Sequence, residues 1–376
     1  MDLEFGAADE EFRAEVRAWL HEHVPSGPLP SLETADGFAA HREWERTLGR
    51  ARLGVVSWPE EYGGRGASVL QWLIFEEEYY AAAAPGRVSQ NGINLLAPTL
   101  LKHGTPEQLA RVLPPMASGE VIWAQAWSEP GAGSDLAALR ATATRTDGGW
   151  LLDGQKTWSS RAAFADRGFG LFRSDPEAAR HRGLTYLMFP LDVDGVTVRP
   201  IGRLDGKPAF AELFLDGVFV PDEDVIGTAG DGWRVAMATA GNERGLTLRS
   251  PGRFTAAAER LVGLWKERAA TSDTAMRDRV ADAWIRSRAY RLKGFETISR
   301  GDDIGAESSL NKVFWSELDV ALHETALDLL GPDGELESDW LENYVFSLAG
   351  PIYAGTNEIQ RNVIAERLLG LPKGSR

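Results

Sequence analysis

Glu243 is the acid whose setting points most directly to chemistry. It closes the run Ala236, Thr239, Ala240 and Glu243, spaced i, i+3, i+4 and i+7, so in a helix it falls on a small, largely apolar face. An acid there is either paired structurally, with Arg244 or Arg249, or is a buried functional carboxylate. In a dry pocket its pKa rises, which suits a general base. Competing chemistries find few residues. There is no Cys, hence no thiol nucleophile, disulfide or Cys-bound metal. The six His (His21, His23, His41, His103, His181 and His323) form no HExxH or similar pattern, and no metal site is expected. Chemistry is expected from a carboxylate plus a borrowed cofactor.

Three further stretches gather glycine, aromatic and hydroxyl residues. Trp127-Ser128-Glu129-Pro130-Gly131-Ala132-Gly133-Ser134-Asp135 lets backbone approach a ligand closely, or is a plain turn capped by Ser134 or Asp135. Asp153-Gly154-Gln155-Lys156-Thr157-Trp158-Ser159-Ser160 places an aromatic before two hydroxyls, as beside a planar cofactor or in an ordinary amphipathic strand. In Tyr353-Ala354-Gly355-Thr356-Asn357-Glu358-Ile359-Gln360-Arg361-Asn362, a helix begins at Gly355-Thr356-Asn357, and Asn357 with Gln360 fits capping-box spacing. Its N–H groups could meet anionic or carbonyl oxygens, or it is simply a last helix closed by Gly370 and Pro372.

The elements that must position these residues change in texture along the chain. Residues 1–120 read as helical, with Phe12, Val16, Trp19 and Leu20 at helical spacing and Thr105-Pro106-Glu107 a strong helix start. Residues 121–228 read as strands at Thr142 to Thr146, Trp150 to Trp158 with a break at Gly154, Leu184 to Pro190, Val196 to Ile201 and Ala211 to Val220, an antiparallel sheet or small barrel. Residues 229–376 return to helix over 231–268, 273–300, 307–330 and 356–369, a four-helix bundle. The fold class expected is α+β, helix–sheet–helix. A net charge of −15 argues against nucleic acid or an anionic membrane as a main partner. The acidic start, Asp2, Glu4, Asp9, Glu10 and Glu11, is unlike a signal peptide, and no run of 18 apolar residues is present, so a cytoplasmic location is expected.

Taken together and in this order, the three stretches resemble the acyl-CoA dehydrogenase family, with Trp58-Pro59 and Gly63-Gly64 in support, over nearly the whole chain. The resemblance implies an N-terminal helical domain, a central β-domain and a C-terminal four-helix bundle with FAD between them. It implies that Trp127, Ser128, Trp158 and Ser160 surround the flavin, with the Ser160 hydroxyl near N5 and Gln125 against the ring through its backbone. Thr356 and Glu358 match FAD contacts, and Ser134 falls on the CoA side of the substrate. The family removes an α-proton and transfers a β-hydride to flavin N5, giving a trans-2-enoyl thioester. Many relatives carry the base directly after the Tyr of the last stretch. Here that slot is Ala354, so the base is expected at Glu243 on the first bundle helix, as in isovaleryl-type enzymes. The Ala354 backbone N–H is implied as a donor to the thioester carbonyl, and Arg244, Tyr353 and Gly355 as lying near the substrate.

Two departures bear on partners. The family's Arg-x-x-Phe-Gly stretch is absent from Trp265 to Asp273, and Asp328-Leu329-Leu330-Gly331-Pro332 departs from Gln-x-x-Gly-Gly. Both are cross-subunit FAD contacts in relatives. The gaps argue against symmetrical FAD binding in a homotetramer; among the oligomers expected, a homodimer with other FAD contacts or a heterotetramer with a sister subunit would accommodate them. Arg277 to Asp282 resembles the actinobacterial-type branch. The implied activity is acyl-CoA α,β-dehydrogenation in lipid metabolism, as in fatty acid β-oxidation, with electrons passing to an electron-transfer flavoprotein. The alternatives are a non-catalytic or co-dependent subunit and a flavin monooxygenase or oxidase on the same fold. Gly241, Gly245 and Gly252 hint at space near Glu243 for a bulky or branched acyl group.

Overall fold

The structure is a computed structural model that describes residues 5–241 and 250–268, 273–300 and 305–373 in full, and the backbone alone at 242–244. In chain order the helices are α1 (Ala7–His23), α2 (Ala35–Arg50), α3 (Val69–Ala81), α4 (Ala97–His103), α5 (Pro106–Ala117), α6 (Gly232–Arg244), α7 (Pro251–Arg268), α8 (Thr274–Arg300), α9 (Ser308–Leu330), α10 (Asp339–Ser347) and α11 (Asn357–Val363). The strands are β1 (Trp123–Ala126), β2 (Thr142–Thr146), β3 (Gly149–Ser160), β4 (Arg167–Arg173), β5 (Leu184–Pro190), β6 (Val196–Ile201) and β7 (Phe210–Pro221). Two compact units result. One is Pro25–Gly66 with Pro85–Glu243, and the other is Met1–Val24, Ala67–Ala84 and Arg244–Arg376.

The first unit is built on a seven-stranded sheet of order β1-β4-β2-β3-β7-β6, with β5 paired to β4. Most pairings are antiparallel as expected, but β1 runs parallel to β4, so the sheet is mixed. Strands β1 and β4 escape the hydrophobic pattern because both are buried almost throughout, and a strand covered on both faces shows no alternation. One face carries Trp150, Leu152, Phe172, Leu187 and Leu213. The other packs Phe169, Leu171, Tyr186 and Met188 against Leu96, Leu100, Leu113, Val235 and Ala236. The long β3–β7 pairing has two irregularities, at Leu152/Gly154 and Lys156/Ser159. At the first, Gly154 has φ 134, and a Cβ there would sit 2.7 Å from the Ala141 backbone, so only glycine fits.

The second unit packs α1 and α3 with α7, α8 and α9. Gly252 serves this packing: a Cβ would lie 2.8 Å from the Glu76 carbonyl oxygen of α3. Its glycine therefore marks close helix approach rather than spare volume near Glu243, while Gly245 lies outside the described residues. The long helix expected over 231–268 is two helices. Pro251 has no N–H to continue the ladder and disfavours helix at Ser250, but suits the first turn of α7, where it stands. Helix α10 was not anticipated. Among the described residues no helix is long and apolar enough to cross a membrane.

A buried ion pair ties α7 to α9. Arg253 donates to Asp319 Oδ2 at 2.8 Å, and His323 Nδ1 lies 3.2 Å from the other carboxylate oxygen. Burial alone would push the Asp319 carboxyl up; Arg253 and His323 outweigh it and hold the group well below the ordinary carboxylate range. A depressed native pKa contributes stability above the unfolded value of 3.8 and loses it as pH falls further. Thermal melts between pH 7 and pH 3 are therefore expected to show an acid-sensitive component below about pH 4 that Asp319→Asn lacks. Identical pH slopes in the two proteins would refute this.

Candidate active site

On the first unit, the turn after β1 and the strand β3 are brought together by two contacts. The Thr157 N–H donates to the Ser128 carbonyl at 2.8 Å. One residue along each segment, Lys156 Nζ donates to Glu129 Oε1 at 2.8 Å and to the Leu171 carbonyl at 2.7 Å. Glu129 also accepts from the backbone N–H groups of Arg140 (2.7 Å) and Ala141 (2.9 Å). This fully buried lysine loses basicity to desolvation, which outweighs the opposing pull of Glu129. Ser128 thus stands beside the Thr157–Trp158 segment. The Glu129–Lys156 pair that fixes it was invisible to local pattern because 27 residues separate the partners.

The second β3 irregularity sets Trp158 at φ 60 and leaves its ring 59% exposed, edge-on to Phe210 at 5.9 Å. A bulky residue in the left-handed region costs on the order of 1–3 kcal/mol, and such strain collects where a side chain must be aimed. Among the described residues, Ser159 Oγ on this segment and Gln125 Nε2 on β1, which contacts β3, are buried polar atoms without a partner. Such atoms are rare in a finished core. An outward indole with orphaned donors nearby fits a planar ligand with polar edges, and a flavin meets that description. Ser160 is half-buried, with its carbonyl accepting from Asn91 Nδ2 at 3.4 Å. Ser134 is exposed, and the next residue, Asp135, accepts from Arg180 at 2.7 Å.

Trp127 is tied to α6 rather than left to the loop. Its indole N–H donates to Tyr186 Oη at 3.1 Å, and that hydroxyl lies 3.2 Å from Thr239 Oγ1. On α6, Ala236, Thr239 and Ala240 are buried, the small-residue face expected. Glu243 and Arg244 stand in the last turn of α6; their side chains lie outside the described residues, as does Arg249.

On the second unit, Ala354 has φ 57 and Gly355 φ 80, so two left-handed residues turn the chain into α11. Here one expectation is corrected. The N-cap is Thr356, whose hydroxyl accepts from the Ile359 N–H at 3.3 Å; Asn357 is the first helical residue. Its side chain instead accepts from Lys312 Nζ (2.8 Å) and Ser316 Oγ (3.1 Å). Gln360 Nε2 turns back to donate to the Ala354 carbonyl at 2.9 Å, clamping that backbone turn. Buried partners on α9 outbid the local capping box. Glu358, exposed in the first turn, is held below the usual carboxylate range first by its own backbone N–H and then by Thr356. Tyr353 packs against Trp315 and Phe346. Asp328, where a cofactor contact would otherwise stand, is paired with Arg279 at 2.6 Å.

Profiles of the acyl-CoA dehydrogenase N-terminal, middle and C-terminal domains match residues 7–120, 124–218 and 230–369. The chain is 41% identical over 379 residues to the acyl-CoA dehydrogenase IpdE1 of Mycobacterium tuberculosis, covering 97% of this chain and 98% of that one. This chain belongs to the acyl-CoA dehydrogenase family. Among solved structures, this acyl-CoA dehydrogenase is similar to the Tcur3481-Tcur3483 steroid ACAD (TM-score 0.86, 28% identity, 100% of both chains). It is also similar to the ChsE4-ChsE5 complex of M. tuberculosis (TM-score 0.84, 28% identity, 100% of both chains). The α+β class and the helical, sheet, helical order read from the sequence are those of the family. As a member of it, the chain is an oxidoreductase.

Proposed function

We propose that this chain removes the α-proton and a β-hydride from an acyl-CoA thioester, leaving the trans-2-enoyl thioester, with Glu243 as the base. FAD is the cofactor, and when bound it would supply the acceptor for the β-hydride. Trp158, Ser160, Trp127, Ser128 and Gln125 hold it on the sheet unit, and Thr356 and Glu358 hold it at the start of α11. Ser134, Arg244, Tyr353 and Gly355 contact the substrate, and the Ala354 N–H donates to the thioester carbonyl, favouring enolate character at the α-carbon. The observation that carries the reading is Ala354 itself. A methyl group occupies the slot where many relatives hold the base, which leaves Glu243 on α6 to act.

Relatives named as a steroid ACAD and as a two-chain complex support a bulky CoA ester as substrate and a sister subunit as partner. An electron-transfer flavoprotein is the natural acceptor, and the place assigned to the reaction is lipid metabolism in the cytoplasm. The experiment is to purify the chain alone and with its sister subunit, record the flavin spectrum, and titrate anaerobically with linear, branched and steroid-side-chain acyl-CoAs. Bleaching by one class supports the reading. A colourless chain that gains FAD only with its partner favours a co-dependent subunit, and oxygen uptake with hydroxylated product favours a monooxygenase.

The exposed indole gives a second test. Trp158→Ala keeps the strained backbone but loses the ring, and FAD affinity is expected to fall roughly tenfold, the scale of a lost aromatic stack with its buried area. Trp158→Phe should retain most of it. Equal FAD retention in all three proteins would remove Trp158 from the cofactor face.

A further inference from the structure

A file of four hydrogen bonds runs through the first unit, and none of its inner members belongs to the three motifs. Trp127 Nε1 lies 3.1 Å from Tyr186 Oη, Tyr186 Oη 3.2 Å from Thr239 Oγ1, Thr239 Oγ1 2.7 Å from Thr99 Oγ1, and Thr99 Oγ1 2.7 Å from the Leu95 carbonyl. Tyr186, Thr239 and Thr99 are each 0% exposed. The order of donors is determined by its two ends. The indole can only donate and the carbonyl can only accept, so Tyr186 donates to Thr239, Thr239 to Thr99, and Thr99 to Leu95. Thr239 also lies 3.3 Å from the Val235 carbonyl, a weaker alternative within its own helix.

Three hydroxyls in an apolar core need a reason. Phe and Val would fill the same space with no polar atoms to desolvate, whereas a buried hydroxyl is tolerated only when bonded. What the file supplies is direction. The buried α6 face around it carries Val235, Ala236 and Ala240, and beyond Val235 only the two alanines, short side chains that leave the later turns free to rotate or slide, flank Thr239. Thr239 is the polar anchor on that face, and it stands one turn before Glu243 at the end of α6. Its other end reaches Trp127, beside Ser128.

We infer that Tyr186 and Thr239 are positioning residues: their hydroxyl file sets the last turn of α6, which carries Glu243, relative to Trp127. The inference rests on the reading of Glu243 as the base, and its test separates the two. Tyr186→Phe and Thr239→Val remove one hydroxyl each at constant shape, while Thr239→Ser keeps the hydroxyl.

In the holoenzyme, Tyr186→Phe and Thr239→Val should lower the rate of flavin bleaching by an acyl-CoA roughly 10- to 100-fold, the scale on which loss of a hydrogen bond behind a metal ligand lowers activity. The KM should stay within about twofold and the α-deuterium isotope effect should rise, because placement of the base changes and not ground-state binding. Thr239→Ser should stay near wild type. Deuterium exchange of the α6 peptide should quicken in Tyr186→Phe and Thr239→Val only. Wild-type exchange and wild-type bleaching in both would overturn the inference, as would a Thr239→Ser variant as impaired as Thr239→Val. If no acyl-CoA bleaches even the wild type, the reading of Glu243 fails, and the exchange data still decide whether the file positions α6. Tyr186→Phe, the mildest change, keeps the test open should Thr239→Val fold poorly.

Discussion

Glu243→Gln is expected to leave FAD bound and to lower its reduction by acyl-CoA roughly 10³-fold, within the range for losing a general base. The substitution keeps size and hydrogen-bonding capacity and removes only proton affinity. No second carboxylate stands ready at the other position used in this family, because Ala354 holds it. Glu243→Asp draws the carboxylate back by about one methylene, so an intermediate loss, on the order of 10²-fold, is expected from misplacement alone. The pair Glu243→Gln with Ala354→Glu is the sharper measurement. Ala354 already sits at φ 57 with a Cβ, so Glu there adds no new backbone strain. Partial recovery of bleaching in that double variant would show the two positions to be interchangeable seats for one base. Near-normal bleaching by Glu243→Gln alone would end the assignment.

The elements that came out of the sequence are those with local signals. The small-residue periodicity of α6 is local, as are the capped start of α5, a full capping box at Thr105 and Gln108, and the alternation of β7. Leu184–Pro190 and Val196–Ile201 came out at their observed ends because Gly and Pro bracket them. Local signals failed where contacts are long-range. Asn357 has the spacing of a capping box but goes to Lys312, and nothing near residue 357 announces a buried lysine 45 positions earlier. Strands β1 and β4 vanish into uninterrupted burial. Thr99 and Thr239 bond across 140 residues, so no window along the chain holds both. The motifs were therefore legible as inventories of donors and rings. The scaffolding that aims them, the Glu129–Lys156 pair and the hydroxyl file, was not.

The Glu129–Lys156 pair should dominate the stability of the sheet unit. Lys156 is 0% exposed and Glu129 nearly so, and together they make five hydrogen bonds or ring contacts: two for Lys156 beyond the pair itself (the Leu171 carbonyl and the Phe172 face at 4.7 Å), two backbone N–H donors for Glu129, and the pair. Breaking one partner of such a pair costs about 3–5 kcal/mol, because the other charge is left buried. Lys156→Met and Glu129→Gln should each lower the melting temperature on the order of 10 °C. They should also release FAD more readily, since the same contact seats Ser128 beside Trp158. The two losses are not alike in pH. In Glu129→Gln the lysine keeps its desolvation without its counter-charge, so its native pKa drops further below 10.5. The native state then binds fewer protons than the unfolded chain, and stability must rise with pH until the free-lysine value is reached. Lys156→Met has no such slope. A double variant, Lys156→Met with Glu129→Gln, should lose much less than the sum of the singles, since neither charge remains to be stranded. Additive losses, or a flat pH response in Glu129→Gln, would mean that the turn and strand are held by the Thr157–Ser128 backbone bond and the surrounding apolar packing instead.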